Sequence, residues 1–390
     1  MSESTATSDS GLDPAKLEKL FARARREVDE GLLPSCQLAV ARHGKLAAAG
    51  RFGRARFGGA EREVSDDTLY VIFSCTKAIT SAAAWLLLQE GKLALDERVA
   101  DVIPEFATNG KDAVTVEQLF THTAGFPSAP SGPKDWASRE AMRARFARWR
   151  LNWEPGSRFE YHPSSSMWVI AALVEERSGL PFREFVRARL AEPLGLPDLR
   201  VGTPREESGR VADLVHVGAA LTAEDFRARG WPVPPETEVT EEAVERFNLP
   251  EVREVGVPGG GAATSAATLA LFYQALLDGR AADGRPVWTG EILALARTDR
   301  TGDLLDPMFR KRASRGLGVV LAGDADRVYR GFGRGNSEQA FGHGGAGGQI
   351  AWADPATGLS FAYLTNGFDR DVIRQARRGV ALSSLAAELC

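Results

Sequence analysis

The sequence predicts a mixed α/β fold, α+β in class, in which strands from both chain ends build one sheet and a mainly helical domain is inserted between them. Three observations predict it. Near the start, "SCQLAVARHGKLAAAGRFG" reads as two short strands joined at His43-Gly44, with Gly50 and Gly53 closing the pair. Near the end, "QIAWADPATGLSFAYLTN" alternates as two strands around a D-P-A-T-G turn. Between them the apolar residues recur mainly at helical spacing. The division that follows is a polar tail at residues 1–11, an α/β domain from residues 12–80 and 255–390, and a mainly helical domain over 81–254.

Taken in order, residues 12–30 carry Leu17, Leu20, Phe21 and Ala24 at helical spacing, and Gly31 is placed to stop that helix. The hairpin comes next. From Thr76 to Glu90 the apolar Ile79, Ala83, Leu86 and Leu87 share one face, with Gly91 as a C-terminal cap. "LDERVADVIPEF" and "TVEQLFTHTAGFP" continue as short helical pieces and turns. "SSSMWVIAALVEERSGLPFREFVRARLAEPLGL" reads as two helices divided near Gly179 and Pro181. Residues 203–257 are charged, proline-bearing and weakly periodic, which predicts a long surface excursion without chemistry. "PGGGAATSAATLALFYQALLDG" is a Gly-rich turn entering a helix, with Thr264 or Ser265 as its N-cap.

The bulk numbers narrow the function classes. With 390 residues, 44% hydrophobic and 26% charged, the chain has enough apolar residues for a large core. A net charge of −4, spread along the chain, gives no nucleic-acid face and no basic membrane stripe. The first residues lack the basic and apolar regions of a signal peptide, so cytoplasmic residence is the expectation. No apolar run approaches the ~20 residues that span a bilayer. Cys36, Cys75 and Cys390 are too scattered for a disulfide framework and are expected to be reduced.

One short stretch carries chemistry. In "VIFSCTKAIT", Ser74 precedes Lys77 by three residues where a β-rich run gives way to the helix. Residues three apart share a helix face with Cβ atoms ~5–6 Å apart, so the amine reaches the hydroxyl. The helix start also presents unpaired N–H groups and the positive dipole end, which favour an oxyanion and push Lys77 toward a neutral, basic form. The same S-x-x-K string recurs at Ser131 and Lys134, but Gly132 and Pro133 between them exclude a helix interior.

Beyond that stretch, "DTLYVIFSCTKAITSAAAWLLLQEGKLALDERVADVIPEF", "LFTHTAGFP", "WEPGSRFEYHPSSSMWVIAALVEERSG", "PGGGAATSAATLALF" and "FGHGGAGGQIAWADPATGLSFAYLTNG" occur in sequence. Together, in order and spacing, they resemble the serine β-lactamase-like superfamily, in its class C β-lactamase and family VIII carboxylesterase branch. The resemblance implies an antiparallel sheet flanked by helices, and it covers residues 12–366 apart from the charged excursion.

It also implies roles. Ser74 would be the acylated nucleophile and Lys77 its proton partner, with Tyr161 of "YHP" as the family's second-motif tyrosine. Which of Lys77 and Tyr161 is formally the base stays open. Pro163 stands where the family has asparagine and lacks the amide that would hold a substrate amide group. "HGG" at His343, Gly344 and Gly345 stands for K-T-G, and His343 is expected to donate a hydrogen bond to the substrate or to the tyrosine. His162 is a candidate pocket residue. Backbone N–H groups of Ser74 and Ala346 would form the oxyanion hole. Without a permanent cation at 343, capture of a β-lactam carboxylate is expected to weaken. Both departures favour neutral esters.

The expectation is a serine carboxylesterase acting on small-molecule, short-chain esters, with weak β-lactam hydrolysis, no cofactor and no metal. β-Lactamase, D-amino-acid peptidase and acyltransferase activities are the alternatives on the same fold. A non-catalytic binding or sensor protein is the alternative outside enzymes. No G-x-S-x-G occurs, and the five histidines form no metal-like spacing. His122 is expected to pin a turn, Cys75 to be a small buried residue, and Trp153, Trp168, Trp231 and Trp352 to pack in the core.

Overall fold

The computed structural model describes residues 4–6, 11–231, 233 and 240–390. Strand Ser35–Arg42 turns into strand Lys45–Phe57 through His43 and Gly44, whose φ angles of 54° and 74° are those a two-residue hairpin turn demands. Gly50 and Gly53 do not close the pair as expected; the second strand runs through them. At Gly50 a Cβ would lie 3.1 Å from the Phe21 ring, so the missing side chain admits the first helix against the sheet.

Among the described residues the sheet order is Ser4–Ala6, Lys45–Phe57, Ser35–Arg42, Leu359–Thr365, Gln349–Asp354, Phe341–Gly345, Val320–Leu321, with Ala60–Glu63 on Lys45–Phe57. Every neighbouring pair is antiparallel. The two chain ends meet where Ser35–Arg42 pairs with Leu359–Thr365, Cys36 opposite Thr365 and Arg42 opposite Leu359. Ser4–Ala6, expected in the polar tail, is an edge strand with Ser4 opposite Gly50.

Side chains alternate between the two faces with a period of two. Leu38, Val40, Trp352, Phe361 and Tyr363 meet helices Pro14–Asp29 and Val372–Ala387. Ala39, Ala41, Ala351, Ala353 and Ala362 join the other core, with helices Thr76–Gln89 and Ala266–Asp278. Small residues on that face let helices approach the sheet closely. The first and last helices are also tied by charge: Arg378 pairs with Glu27 and with Asp369, each at 2.7 Å, and all three are buried. Burial pushes both carboxyls up, but Arg378, helped by Arg23 at Glu27 and by Arg374 at Asp369, holds them below the usual carboxylate range.

Helix Thr76–Gln89 is buried around most of its circumference, in keeping with its predominantly apolar composition. A boundary at residue 80 would cut it. Ser265 caps the helix Ala266–Asp278, while Thr264 ends the strand before it. Residues 203–257 are more ordered than the sequence suggested, although 232 and 234–239 lie outside the described residues. Strand Val215–Val217 pairs with Gly367–Asp369, and helices Ala223–Ala228, Glu241–Glu245 and Pro250–Val255 follow. Val211, Leu214 and Val244 are buried in one cluster with Phe73, directly before Ser74. Their irregular spacing over very short elements leaves no period to read. No described helix is long and apolar enough to cross a membrane.

Candidate active site

Ser74 lies where a short strand, Tyr70–Val71, gives way to helix Thr76–Gln89. Phe73 takes φ 43° there, a left-handed conformation costly for a residue with a bulky side chain. Its ring is gripped edge-on by Phe247 and Phe368, at 5.5 and 6.0 Å between centroids. The turn therefore holds the Ser74 side chain half-buried at the helix entrance.

Lys77, one helical turn on, is fully buried. Its Nζ donates to Ser74 Oγ at 3.2 Å, to the Pro163 carbonyl at 2.6 Å and to the Gly259 carbonyl at 2.9 Å. Three acceptors surround the amine and fix its position. The Gly-rich turn at 258–261 thus supplies a lysine acceptor that its sequence did not announce. Thr80 Oγ1 fixes the same turn by donating to the Pro258 carbonyl at 2.7 Å. At Gly259 a Cβ would sit 3.0 Å from the Pro163 oxygen.

Tyr161 is carried by an extended segment ahead of helix Ser165–Ser178, and its ring centroid lies 5.0 Å from Lys77 Nζ. Two histidines pin this segment. His122, itself at φ 59°, receives the His162 N–H on Nδ1 at 3.2 Å, and its carbonyl accepts from Glu160 N–H. Its ring lies 4.7 Å from that of Tyr161. His162 Nε2 accepts from Phe126 N–H at 3.2 Å, and its Nδ1 donates to the Glu160 carbonyl at 2.6 Å. Both ring nitrogens are taken and the ring is completely buried, so His162 does not line the pocket; it positions Tyr161. Burial pulls His162 down to about 3, and pulls His122 well below the usual range.

The strand Phe341–Gly345 edges the site. His343 Nδ1 donates to the Gly344 carbonyl at 2.6 Å, which leaves the buried Nε2 as a lone acceptor with no described partner. This corrects the expected donor role. Burial, with Lys77 and Arg315 nearby, holds His343 well below the usual range, so no charge arises there near neutral pH. At Gly345 a Cβ would be 2.4 Å from the Ile72 carbonyl, so only glycine lets this strand end reach the Ser74 turn. Ala346 follows, packed against the Phe73 cluster. Cys75 donates its thiol to the His343 carbonyl at 3.0 Å, and burial pushes the thiol up, away from a reactive thiolate.

Sequence reasoning missed Arg315. Its guanidinium carbon lies 5.2 Å from the Phe159 centroid and 5.7 Å from that of Tyr161. A guanidinium cation thus lies near Tyr161 on a segment other than the one bearing His343. Nothing in "RASRGLGVV" singles it out, since the proximity to Tyr161 arises only in three dimensions. Of the tryptophans, Trp352 is core, while Trp168 stacks on Trp136 and lines a cavity of about 480 Å³ that also touches Pro258.

Comparison with known proteins agrees with this architecture. The chain is 28% identical over 322 residues to the esterase/beta-lactamase LipL of Mycobacterium tuberculosis, covering 77% of this chain and 70% of LipL. It is 33% identical over 273 residues to esterase EstB of Burkholderia gladioli, covering 64% of this chain and 65% of EstB. A penicillin-binding protein homolog from Caulobacter crescentus superposes over all of both chains with a TM-score of 0.80 at 29% identity. A family VIII carboxylesterase shares the fold, with a TM-score of 0.80 at 24% identity over all of both chains. The Beta-lactamase family model matches residues 20–385, and the chain belongs to that family as a serine hydrolase on its fold.

Proposed function

We propose that the chain is a carboxylesterase that hydrolyses short-chain esters through an acyl-enzyme on Ser74. The observation that carries this reading is the contact of Lys77 Nζ with Ser74 Oγ at 3.2 Å, beside the Tyr161 ring. Ser74 Oγ attacks the ester carbonyl carbon, and its proton leaves through the Lys77 and Tyr161 pair. The N–H groups of Ser74 and Ala346 stabilise the tetrahedral oxyanion. Collapse expels the alcohol, which takes up the proton. Water then attacks the acyl carbon, loses a proton to the same pair, and the acid leaves as Ser74 recovers its hydrogen.

Pro163 offers the site only its main-chain carbonyl, which Lys77 occupies, so position 163 supplies no side-chain amide to hold a peptide or lactam amide. The names of LipL and EstB both include esterase, which supports the same reading. The test is steady-state hydrolysis of p-nitrophenyl acetate, butyrate and octanoate beside nitrocefin, for the parent and Ser74→Ala. Ester turnover lost on substitution, with nitrocefin slow, supports the proposal. Nitrocefin cleavage matching ester cleavage makes the chain a β-lactamase, and ester turnover surviving in Ser74→Ala removes the nucleophile.

A further inference from the structure

Among the described residues, Arg315 is a cation without an anion. Its Nε is enclosed and has no hydrogen-bond partner, and no carboxylate lies within ion-pair distance of its guanidinium. Asp306 is close enough to act on it through space, but the two do not pair. The Phe159 and Tyr161 rings lie near the guanidinium instead, within reach of a cation–π contact. The N–H donors of a guanidinium lie in one plane, and here the Nε donor is unpaired.

The location matters as much as the missing partner. Arg315 bridges to Val320, Val320 lies opposite Gly342, and the next residue on that strand is His343. The guanidinium therefore stands beside the catalytic strand. Its charge acts on His122 and His343, whose rings flank Tyr161 at 4.7 and 6.0 Å. Partial burial pulls Arg315 below the ordinary guanidinium range, with Asp306 opposing the shift only through space. Arg315 is half-buried, with its Nε enclosed and unpaired, so a ligand arriving at the site can complete its hydrogen bonding.

We propose that the missing partner is the substrate: Arg315 is a specificity residue that pairs with a carboxylate on the acid or alcohol part of the ester. This rests on the esterase reading above and refines it from neutral esters to half-esters and similar anionic esters. A carboxylate, planar and two-pronged, matches the in-plane fork of one guanidinium. A phosphate dianion would call for a second free cation, and Lys77 is already committed to three acceptors.

The test compares esters that differ only in charge. On the acid side, p-nitrophenyl hydrogen succinate, glutarate and adipate are set against their methyl-capped diesters. On the alcohol side, 4-acetoxybenzoate is set against its methyl ester. In the parent at low ionic strength, at least one charged member is expected to exceed its neutral twin in kcat/KM by about tenfold, mainly through KM, and to lose that lead in high salt. In Arg315→Met the ratio should fall to about one or below, and Arg315→Lys should recover part of it. A parent blind to charge in every pair overturns the proposal while leaving the esterase reading intact. So does Arg315→Met lowering both members of each pair equally with a shifted pH profile, which assigns Arg315 to positioning Tyr161. If no ester is turned over, the esterase reading fails by itself, and calorimetric titration of glutarate into the parent and Arg315→Met decides the rest. Binding lost in the variant keeps the carboxylate site, and absence of binding to the parent removes it. If Arg315→Met does not fold, the charged-to-neutral ratio of the parent and its salt dependence decide between the same outcomes.

Discussion

Lys77 and Pro163 are joined by a hydrogen bond of 2.6 Å from the lysine amine to the proline carbonyl. That contact ties the Ser74 helix to the segment bearing Tyr161, so one side chain holds both halves of the proposed proton relay. Lys77→Met should lower kcat/KM for a short p-nitrophenyl ester by ~10³-fold or more, with the fold retained by circular dichroism. Near-parent turnover in that variant would leave Tyr161 as the sole proton carrier.

His162 offers a test of positioning without substrate contact. His162→Ala removes an acceptor from Phe126 N–H and a donor to the Glu160 carbonyl, which should cost about 1–3 kcal/mol in denaturant unfolding. The same variant should lose kcat more than KM, because Tyr161 is loosened while the pocket keeps its lining. A KM effect with unchanged kcat would return His162 to the substrate pocket.

Gly345→Ala probes the oxyanion arrangement by steric means. The added carbon would lie 2.4 Å from the Ile72 carbonyl, so the strand end must move and carry Ala346 with it. A fall in kcat of about 10²–10³-fold is expected, on the scale of losing one oxyanion donor. Unchanged kcat would place the second donor elsewhere than Ala346.

Stability should decline on mild acidification. Burial holds His122, His162 and His343 below their usual range, His162 at about 3, so all three stay neutral in the native protein as pH falls. The unfolded chain takes up protons at these positions below about pH 6.5. Their contribution is therefore whole above that pH and is lost progressively toward pH 3. Denaturant midpoints measured from pH 8 to pH 4 should be level above about pH 7 and fall below it. A flat profile between pH 7 and 5 would mean that the native histidines accept protons.

Arg378→Met should destabilise the protein by about 3 kcal/mol, because Glu27 and Asp369 stay buried with one fewer cation each. Arg23 and Arg374 remain beside them and keep the loss from being larger. Thermal and denaturant unfolding both report it, and a loss under about 0.5 kcal/mol would show the pair to be balanced by its own desolvation.

Where local pattern and tertiary role coincide, the sequence is informative. The helix after Ser74, the hairpin at His43-Gly44 and the paired strands near the end each carry their own periodicity. Ser74 and Lys77 sit one helical turn apart, so their contact follows from backbone geometry. Other roles depend on distant partners. His343 becomes an acceptor only because the Gly344 carbonyl takes its Nδ1 proton, and His162 turns inward only because Phe126 and Glu160 await it. Arg315 and the carbonyl of Gly259 show no local signature, since each gains its meaning from a residue more than 150 positions away.

Strand Ser35–Arg42 has Lys45–Phe57 on one edge and, on the other, only Leu359–Thr365. During synthesis that second edge has no native neighbour until nearly the whole chain has left the ribosome. A long-range pairing of this kind is slow to form, and a bare strand edge invites pairing with another chain. Fragments that stop before residue 359 should accordingly aggregate, and yield in a cell will depend on temperature and on chaperones that shield the nascent hairpin.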